Sequence, residues 1–197
     1  MQVYFIGGVN GAGKTSFLNE LTLNNPEFHV VKGSSELMNW LGLNLEDYDK
    51  LRSMPEDYKT IQFDLMMEDL LTHPPRSNEV VLIDAHYFHY NEGNLVNTTG
   101  TWISKMDALF VITARIHEVY TRVSDDSKKR NLFPQRSNPE VQRNMLEIYS
   151  ERTIQKAKEL SEEYSIPYFL IENTQGKMKK TVNTFLEIHF RLKLNNK

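Results

Sequence analysis

The residues Gln2–Leu18, QVYFIGGVNGAGKTSFL, decide the fold of this 197-residue chain. An apolar run of β-branched and aromatic residues, Val3–Ile6, leads into a glycine-rich turn, and a helical pattern begins after the turn. From Gly8 the spacing is G-x-x-x-x-G-K-T. In a strand–loop–helix setting, this spacing is typical of a loop that binds phosphate groups. We call Gly8–Thr15 the phosphate loop.

The chemistry of the phosphate loop explains its residue types. Glycines allow positive φ and a close approach of the backbone to a polyphosphate. Successive N–H groups at a helix N-terminus form an anion cradle, which the helix dipole reinforces. Lys14 can reach the β- and γ-phosphates, and the Thr15 hydroxyl can ligate Mg²⁺. We therefore predict ATP and Mg²⁺ as cofactors, with nucleotide contacts from the following residues: Gly8, Asn10, Gly11, Ala12, Gly13, Lys14, Thr15 and Ser16.

Composition and charge limit the other classes of function. The length suits one domain, residues 1–197, with a substantial core. A formal net charge of −3 provides no basic field for broad binding to nucleic acids or acidic membranes. No cysteine occurs, which removes disulfides and thiolate chemistry and fits a reducing compartment. No apolar run reaches transmembrane length, and Met1 leads directly into the first strand, so we expect a cytoplasmic protein without a signal peptide.

Strand patterns alternate with helix patterns along the whole chain. We expect strands at Val3–Ile6, Phe28–Val31, Glu79–Asp84, Ala108–Thr113 and Pro167–Glu172. We expect helices at Thr15–Leu23, Glu36–Leu41 (capped by Ser34 or Ser35), Pro55–Leu71 (with Ile61, Leu65 and Leu70 toward the core), His117–Val123, Pro139 to about Tyr164 (capped by Asn138 or Ser137), and Met178–Leu192. This order predicts a three-layer α/β fold, with a five-stranded parallel sheet and helices on both faces. Ligands of such sheets bind at the carboxyl ends of the strands, where the phosphate loop, Asp84 and Asn173 should converge.

Several absences favour a small kinase over other proteins with a phosphate loop. No N-K-x-D sequence for reading guanine is present, and no L-S-G-G-Q-like stretch of a transporter ATPase occurs. The chain also has no second helical domain of the kind that AAA-type oligomers use. A compact kinase that transfers a phosphoryl group to a small acceptor fits what remains.

Four segments, in order along the chain, resemble the archaeal-type adenylate kinases of the nucleoside monophosphate kinase group. The phosphate loop matches, and Gly33 with its short helix resembles G-D-x-M, although Ser34-Ser35 stands where the family usually has an acid. Asp49–Pro55 resembles D-E-M-R-K-L, and Leu82–His86 resembles I-D-T-H. The resemblance implies the P-loop fold, an acceptor-binding insertion at about residues 33–75 and a lid at about residues 125–138.

The side-chain chemistry of Asp84 and Arg52 suggests a role for each residue in phosphoryl transfer. Asp84 would be the second anchor of Mg²⁺, as phosphoryl transfer requires, or else a strand-end aspartate that caps a turn. Arg52 would bind an acceptor phosphate as a bidentate fork, or else pair with Asp47 or Asp49 on the surface.

The other candidate residues lie nearby in the sequence. His86 would orient a phosphate or a metal-bound water, or else be a structural histidine. Tyr87, together with Phe88 and Tyr90, would stack on an acceptor base or else belong to the core. The resemblance implies that Arg122 stacks on adenine and that Asn173 begins the loop that reads it.

Basic residues of the lid region would neutralise and enclose the transferred group. We assign this role first to Arg136 and Arg130, and the same region contains Lys128, Lys129 and Arg143. A solvated charge run is the alternative.

The prediction is ATP- and Mg²⁺-dependent phosphoryl transfer to a small acceptor, with AMP the first to test. One alternative is a kinase of a non-nucleotide alcohol or of a modified nucleic-acid base, with nucleic acid bound only as the acceptor. The other is a nucleotide-dependent switch or assembly factor with slow ATPase activity. The sequence leaves the acceptor, the oligomeric state and the pathway open.

Overall fold

The computed structural model describes residues 1–74, 80–91, 94–125, 132–133 and 137–195. The elements in chain order are β1 (Gln2–Gly7), α1 (Lys14–Asn24), β2 (Phe28–Lys32), α2 (Gly33–Trp40), α3 (Tyr48–Ser53), α4 (Glu56–Thr72), β3 (Val80–Asp84), β4 (Phe88–Asn91), β5 (Asn94–Asn97), β6 (Ala108–Thr113), α5 (Ile116–Asp125), α6 (Pro139–Tyr164), β7 (Tyr168–Glu172) and α7 (Met178–Asn195). Short 3₁₀ turns lie at Leu45–Asp47 and Thr101–Lys105.

The main sheet has five parallel strands in the order β2-β3-β1-β6-β7. The predicted five-stranded parallel sheet is therefore confirmed. β1 is the central strand, and its register places Ile6 opposite Asp84 of β3. The carboxyl ends of β1 and β3 therefore lie side by side, and the phosphate loop leaves β1 at this edge.

Alternation along β1 sends its side chains into two cores, one on each face of the sheet. Tyr4 and Ile6 belong to a core that includes residues of α1 and α7, whereas Val3 and Phe5 belong to a core that includes residues of α4 and α6. This is the period of two that a strand imposes. Helices cover both faces, as the three-layer prediction requires.

The helix α4 packs with a different face from the one that the sequence pattern predicted. Ile61 and Leu65 are 57% and 52% exposed, while Met66 and Met67 are buried, so the expected inward positions of Ile61 and Leu65 are wrong. The packing partner explains the difference, because the Phe63 ring contacts the Trp102 ring at 5.8 Å between centroids. Docking against the turn that contains Trp102 selects the face around Phe63, and this partner is distant in sequence.

One further local expectation changes, one is confirmed, and one element was not predicted. α2 begins at Gly33, with Lys32 at the cap position and no side-chain cap, so Ser34 and Ser35 lie inside the first turn. The polar segment after β3 forms an antiparallel hairpin of β4 and β5. Asn138 caps α6 as expected, because its Oδ1 accepts a hydrogen bond from Val141 N at 2.9 Å. No helix in the described ranges is long and apolar enough to cross a membrane.

Candidate active site

Backbone geometry makes the phosphate loop dependent on glycine. Gly11 and Gly13 have φ values of 82° and 85°, in the left-handed region that side chains rarely adopt. A Cβ on Gly13 would lie 2.3 Å from Asn173 Nδ2, and one on Gly8 would lie 2.4 Å from the carbonyl oxygen of Ile112. The loop is therefore packed closely from behind, and no larger residue fits at these positions without a shift of the structure.

Three polar side chains meet at the end of the loop. Lys14 Nζ lies 3.4 Å from Asp84 Oδ1, and the two side chains are only 10% and 14% exposed. The same Nζ lies 3.4 Å from His86 Nε2. The structure thus brings together residues that are about seventy positions apart in sequence, because β1 and β3 are neighbours in the sheet.

His86 also contacts the loop backbone. Its Nδ1 lies 2.8 Å from the carbonyl oxygen of Gly8. A carbonyl can only accept, so Nδ1 carries the proton, and Nε2 of the neutral ring accepts from the Lys14 ammonium. His86 therefore links Lys14 to the start of the phosphate loop, which favours its reading as a residue that supports the loop.

Thr15 and Asp84 supply the oxygen donors that Mg²⁺ prefers. Both line one cavity of about 210 Å³ between α1 and β2. No cluster of three or more metal-ligating side chains occurs within the described ranges. A hydroxyl and a carboxylate that face a common space fit Mg²⁺, because this ion is usually held by few protein groups together with water and substrate phosphates. Ser16 is exposed on the same first turn of α1.

Arg122 and Asn173 lie against the back of the loop. Arg122 Nη1 donates to the carbonyl oxygen of Gly11 at 3.0 Å, and Asn173 Nδ2 donates to that of Ala12 at 2.9 Å. Sequence reasoning missed a third member, Glu118, which is 7% exposed and whose Oε2 lies 3.1 Å from Arg122 Nη2. The i,i+4 spacing of Glu118 and Arg122 on α5 was the available signal.

Arg52 lies on α3, in the segment predicted to bind the acceptor. Its side chain is 45% exposed, its Nη1 lies 3.8 Å from Asp49 Oδ1, and its guanidinium carbon lies 5.1 Å from the centre of the Tyr48 ring. Desolvation lowers the pKa of His89 on the hairpin, with the charge of Glu56 opposing and those of Lys59 and Arg52 adding to the shift.

The structure does not place Tyr87 where an acceptor could stack on it. The residue is fully buried, its ring contacts that of Phe5 at 4.8 Å, and a Cβ on Gly7 would overlap the Tyr87 ring. Burial raises the pKa of its hydroxyl well above the usual range. Tyr87 is thus a core residue, and the acceptor-stacking alternative does not hold for it. Phe88 is half-buried among core residues, and the Tyr90 side chain lies outside the described part.

The predicted lid falls mostly outside the described residues. Lys128, Lys129, Arg130 and Arg136 lie outside the described residues. Arg143 is described, and its guanidinium carbon lies 4.7 Å from the centre of the Tyr120 ring, which joins α6 to α5.

Lys32 is a second site candidate that sequence reasoning missed. It ends β2, pairs in register with Asp84, and lines the cavity that Thr15 and Asp84 share. The signal was its position at the end of a predicted strand, where parallel sheets bind ligands.

No protein-family model and no curated protein sequence matches the chain. Solved structures do match: a shikimate kinase from Acinetobacter baumannii in complex with shikimate has a TM-score of 0.64 at 17% identity, covering 98% of this chain and 94% of that one. A shikimate kinase from Bacteroides thetaiotaomicron has a TM-score of 0.59 at 12% identity, with coverage of 95% and 97%. A thymidylate kinase from Candida albicans has a TM-score of 0.56 at 11% identity, with coverage of 98% and 92%. The chain therefore has the fold of the P-loop kinases, and its closeness to archaeal-type adenylate kinases stays a prediction.

Proposed function

We propose that this chain is an ATP- and Mg²⁺-dependent kinase that transfers the γ-phosphoryl group to a small acceptor, in the first instance a nucleoside monophosphate such as AMP. The observation that carries the proposal is the meeting of Lys14 and Asp84 beside the phosphate loop, 3.4 Å apart and almost removed from water. A lysine for the phosphates and a carboxylate for the metal are the parts that phosphoryl transfer shares across P-loop enzymes.

The donor side would work through the loop amides and Lys14, which bind the β- and γ-phosphates. Thr15 and Asp84 would hold Mg²⁺, which neutralises charge on the phosphate oxygens when bound. Low exposure strengthens these interactions, because charges interact more strongly where water is excluded. Arg130 and Arg136 remain our candidates for closing over the transferred group.

The acceptor side would use Arg52, whose partly exposed guanidinium can bind a phosphate in two parallel hydrogen bonds. A phosphate acceptor is already nucleophilic, so this reaction needs no general base. The adenylate kinase-like subtype rests on the sequence resemblance, and AMP is the first acceptor to test for that reason.

A second candidate is an alcohol acceptor. It is favoured by the similarity of the fold to shikimate kinases over nearly the whole chain. An alcohol must lose a proton as it attacks, and Asp84 is the carboxylate near the phosphate loop that could accept it. Asp84 Oδ1 already faces the Lys14 ammonium at 3.4 Å, and the proposed Mg²⁺ would use the same carboxylate, which makes this the weaker candidate.

A coupled assay of ADP formation tests the proposal. ATP and Mg²⁺ are incubated with AMP, other nucleoside monophosphates, hydroxyl-bearing carboxylates or an oligonucleotide. We expect rapid turnover with a monophosphate alone. Turnover with an alcohol would select the second candidate, and ATP binding without stimulation by any acceptor would favour a nucleotide-dependent switch.

A further inference from the structure

The carbonyl groups of the phosphate loop have specific partners. In an anion cradle the N–H groups point at the phosphates, so the carbonyls point away and need donors of their own. Asn173 Nδ2 lies 2.9 Å from the carbonyl oxygen of Ala12 and 3.4 Å from that of Gly13, and Arg122 Nη1 lies 3.0 Å from that of Gly11. Two side chains thus serve consecutive carbonyls of the loop.

Both donors are themselves fixed. Asn173 is 4% exposed, and its backbone N–H donates to the carbonyl oxygen of Thr113 at 2.7 Å. Arg122 is held by the buried Glu118 one helical turn before it, at 3.1 Å. Glu118 also accepts from the backbone N–H of Gln175, at 3.4 Å to Oε2 and 3.5 Å to Oε1. The carboxylate therefore ties α5 to the loop that follows β7.

We propose that Glu118, Arg122 and Asn173 form a carbonyl clamp that preorganises the phosphate loop, with Glu118 as a positioning residue. This proposal rests on one part of the proposed function, the binding of a polyphosphate by the loop, and does not require phosphoryl transfer. Glu118 orients Arg122, and Arg122 and Asn173 hold the carbonyls outward. The loop N–H groups then stay aimed at the ligand before it arrives. Preorganised donors bind more tightly because no reorganisation accompanies binding.

Two ligands distinguish the clamp from a role in contacting the nucleotide base. A residue that contacts the base contributes nothing to the binding of inorganic tripolyphosphate, which has no base. A clamp residue contributes to tripolyphosphate and to ATP by the same factor, because it acts through the loop that both ligands share.

The test measures the affinities of the full chain for tripolyphosphate and for ATP by calorimetry, both with Mg²⁺. Glu118→Gln keeps the volume and removes the charge, and Asn173→Asp replaces the donor with an acceptor that faces a carbonyl. We expect each change to lower the affinity for both ligands by about tenfold, the usual effect of losing a hydrogen bond with a charged group. Glu162→Gln removes the exposed i,i+4 pair with Lys158 on α6 and should change neither affinity.

Arg122→Lys provides a second route if either variant fails to fold, because it keeps the charge while losing the planar fork. A weaker affinity for ATP with an unchanged affinity for tripolyphosphate would show that these residues contact the nucleotide base, and it would overturn the clamp. Unchanged affinities for both ligands would overturn it as well. If the variants weaken both affinities but the wild-type chain phosphorylates no acceptor, the clamp proposal stands and the proposed kinase function is wrong. A wild-type chain that does not bind tripolyphosphate would contradict both.

Discussion

Lys14 occupies a nearly buried site between a carboxylate and an imidazole. Asp84 Oδ1 and His86 Nε2 each lie 3.4 Å from its Nζ, and little of the side chain is exposed. The ammonium is thus positioned before any nucleotide is present. A positioned cation of this kind contributes more in the transition state than in the ground state, because negative charge is redistributed on the transferred group.

Lys14→Ala is expected to lower kcat by about a hundredfold or more, the usual loss for one preorganised donor to developing charge. Steady-state kinetics with ATP and the acceptor would measure it, and circular dichroism would check that the fold is retained. Lys158→Ala, on the exposed surface of α6, is the matched control and should leave kcat unchanged. Unaltered turnover in Lys14→Ala would show that the lysine has no role in transfer.

At the scale of elements, the proposed function assigns acceptor binding to Arg52 on α3. Arg52→Ala is expected to raise the acceptor KM by about tenfold to a hundredfold, while the KM for ATP stays within about twofold. Arg152→Ala, exposed on α6, controls for the loss of a positive charge. An equal loss for both substrates would mean that Arg52 supports the structure and does not bind the acceptor.

The helix α7 packs on the sheet and on α1 in part through the ring of Phe185. Phe185 is fully buried, and its ring contacts those of Phe17, Phe28 and Phe110 at 5.5, 5.6 and 4.8 Å. Phe185→Ala should lower the free energy of unfolding by about 3–5 kcal/mol and the Tm by on the order of 10 °C. Phe190→Ala, more than half exposed on the same helix, should change the free energy of unfolding by less than about 0.5 kcal/mol. Equal effects of the two changes on thermal unfolding would contradict this packing.

Elements whose pattern is local could be predicted from the sequence. The phosphate loop, β6 and α6 with its Asn138 cap each follow from residues within one segment. The parallel sheet followed from the alternation of strands and helices. These features hold in the structure because spacing, turn chemistry and hydrophobic period agree at each of them.

Features that depend on distant partners could not be predicted. The face of α4 is chosen by Trp102, and Tyr87 is buried because it packs against Phe5 and closely over Gly7. Glu118 contacts Arg122 and Gln175, and only the first is a near neighbour in sequence. Sequence periodicity cannot identify such partners. Several faces of a helix can be similar in polarity, and contacts with distant parts of the chain determine which face is buried.

At the scale of the whole molecule, stability should depend on pH through a buried histidine. His189 is 1% exposed, and its Nδ1 lies 3.0 Å from the Tyr4 hydroxyl. Desolvation lowers the pKa of His189 in the folded chain, Lys193 adds to the shift, and Glu27 opposes it. The unfolded chain therefore binds more protons than the folded chain below pH of about 6.5.

The contribution of His189 to the free energy of unfolding should thus be constant above that pH, fall as the pH drops below it, and level off below the lowered folded-state pKa. Urea unfolding of the wild type at several pH values between about 7.5 and 5 would measure the slope. His189→Gln should flatten it, whereas His117→Gln, at an exposed position on α5, should not. A wild-type slope that persists in His189→Gln would assign the pH dependence to another group.

The central claim is that the phosphoryl group goes to an acceptor and not to water. ATP labelled at the γ-phosphate, incubated with the chain, Mg²⁺ and AMP or another acceptor of the panel, tests it most directly. We predict that the label appears on the acceptor, at a rate that Asp84→Asn lowers by about a hundredfold or more. Label found only in inorganic phosphate, at a slow rate that no acceptor changes, would contradict the account.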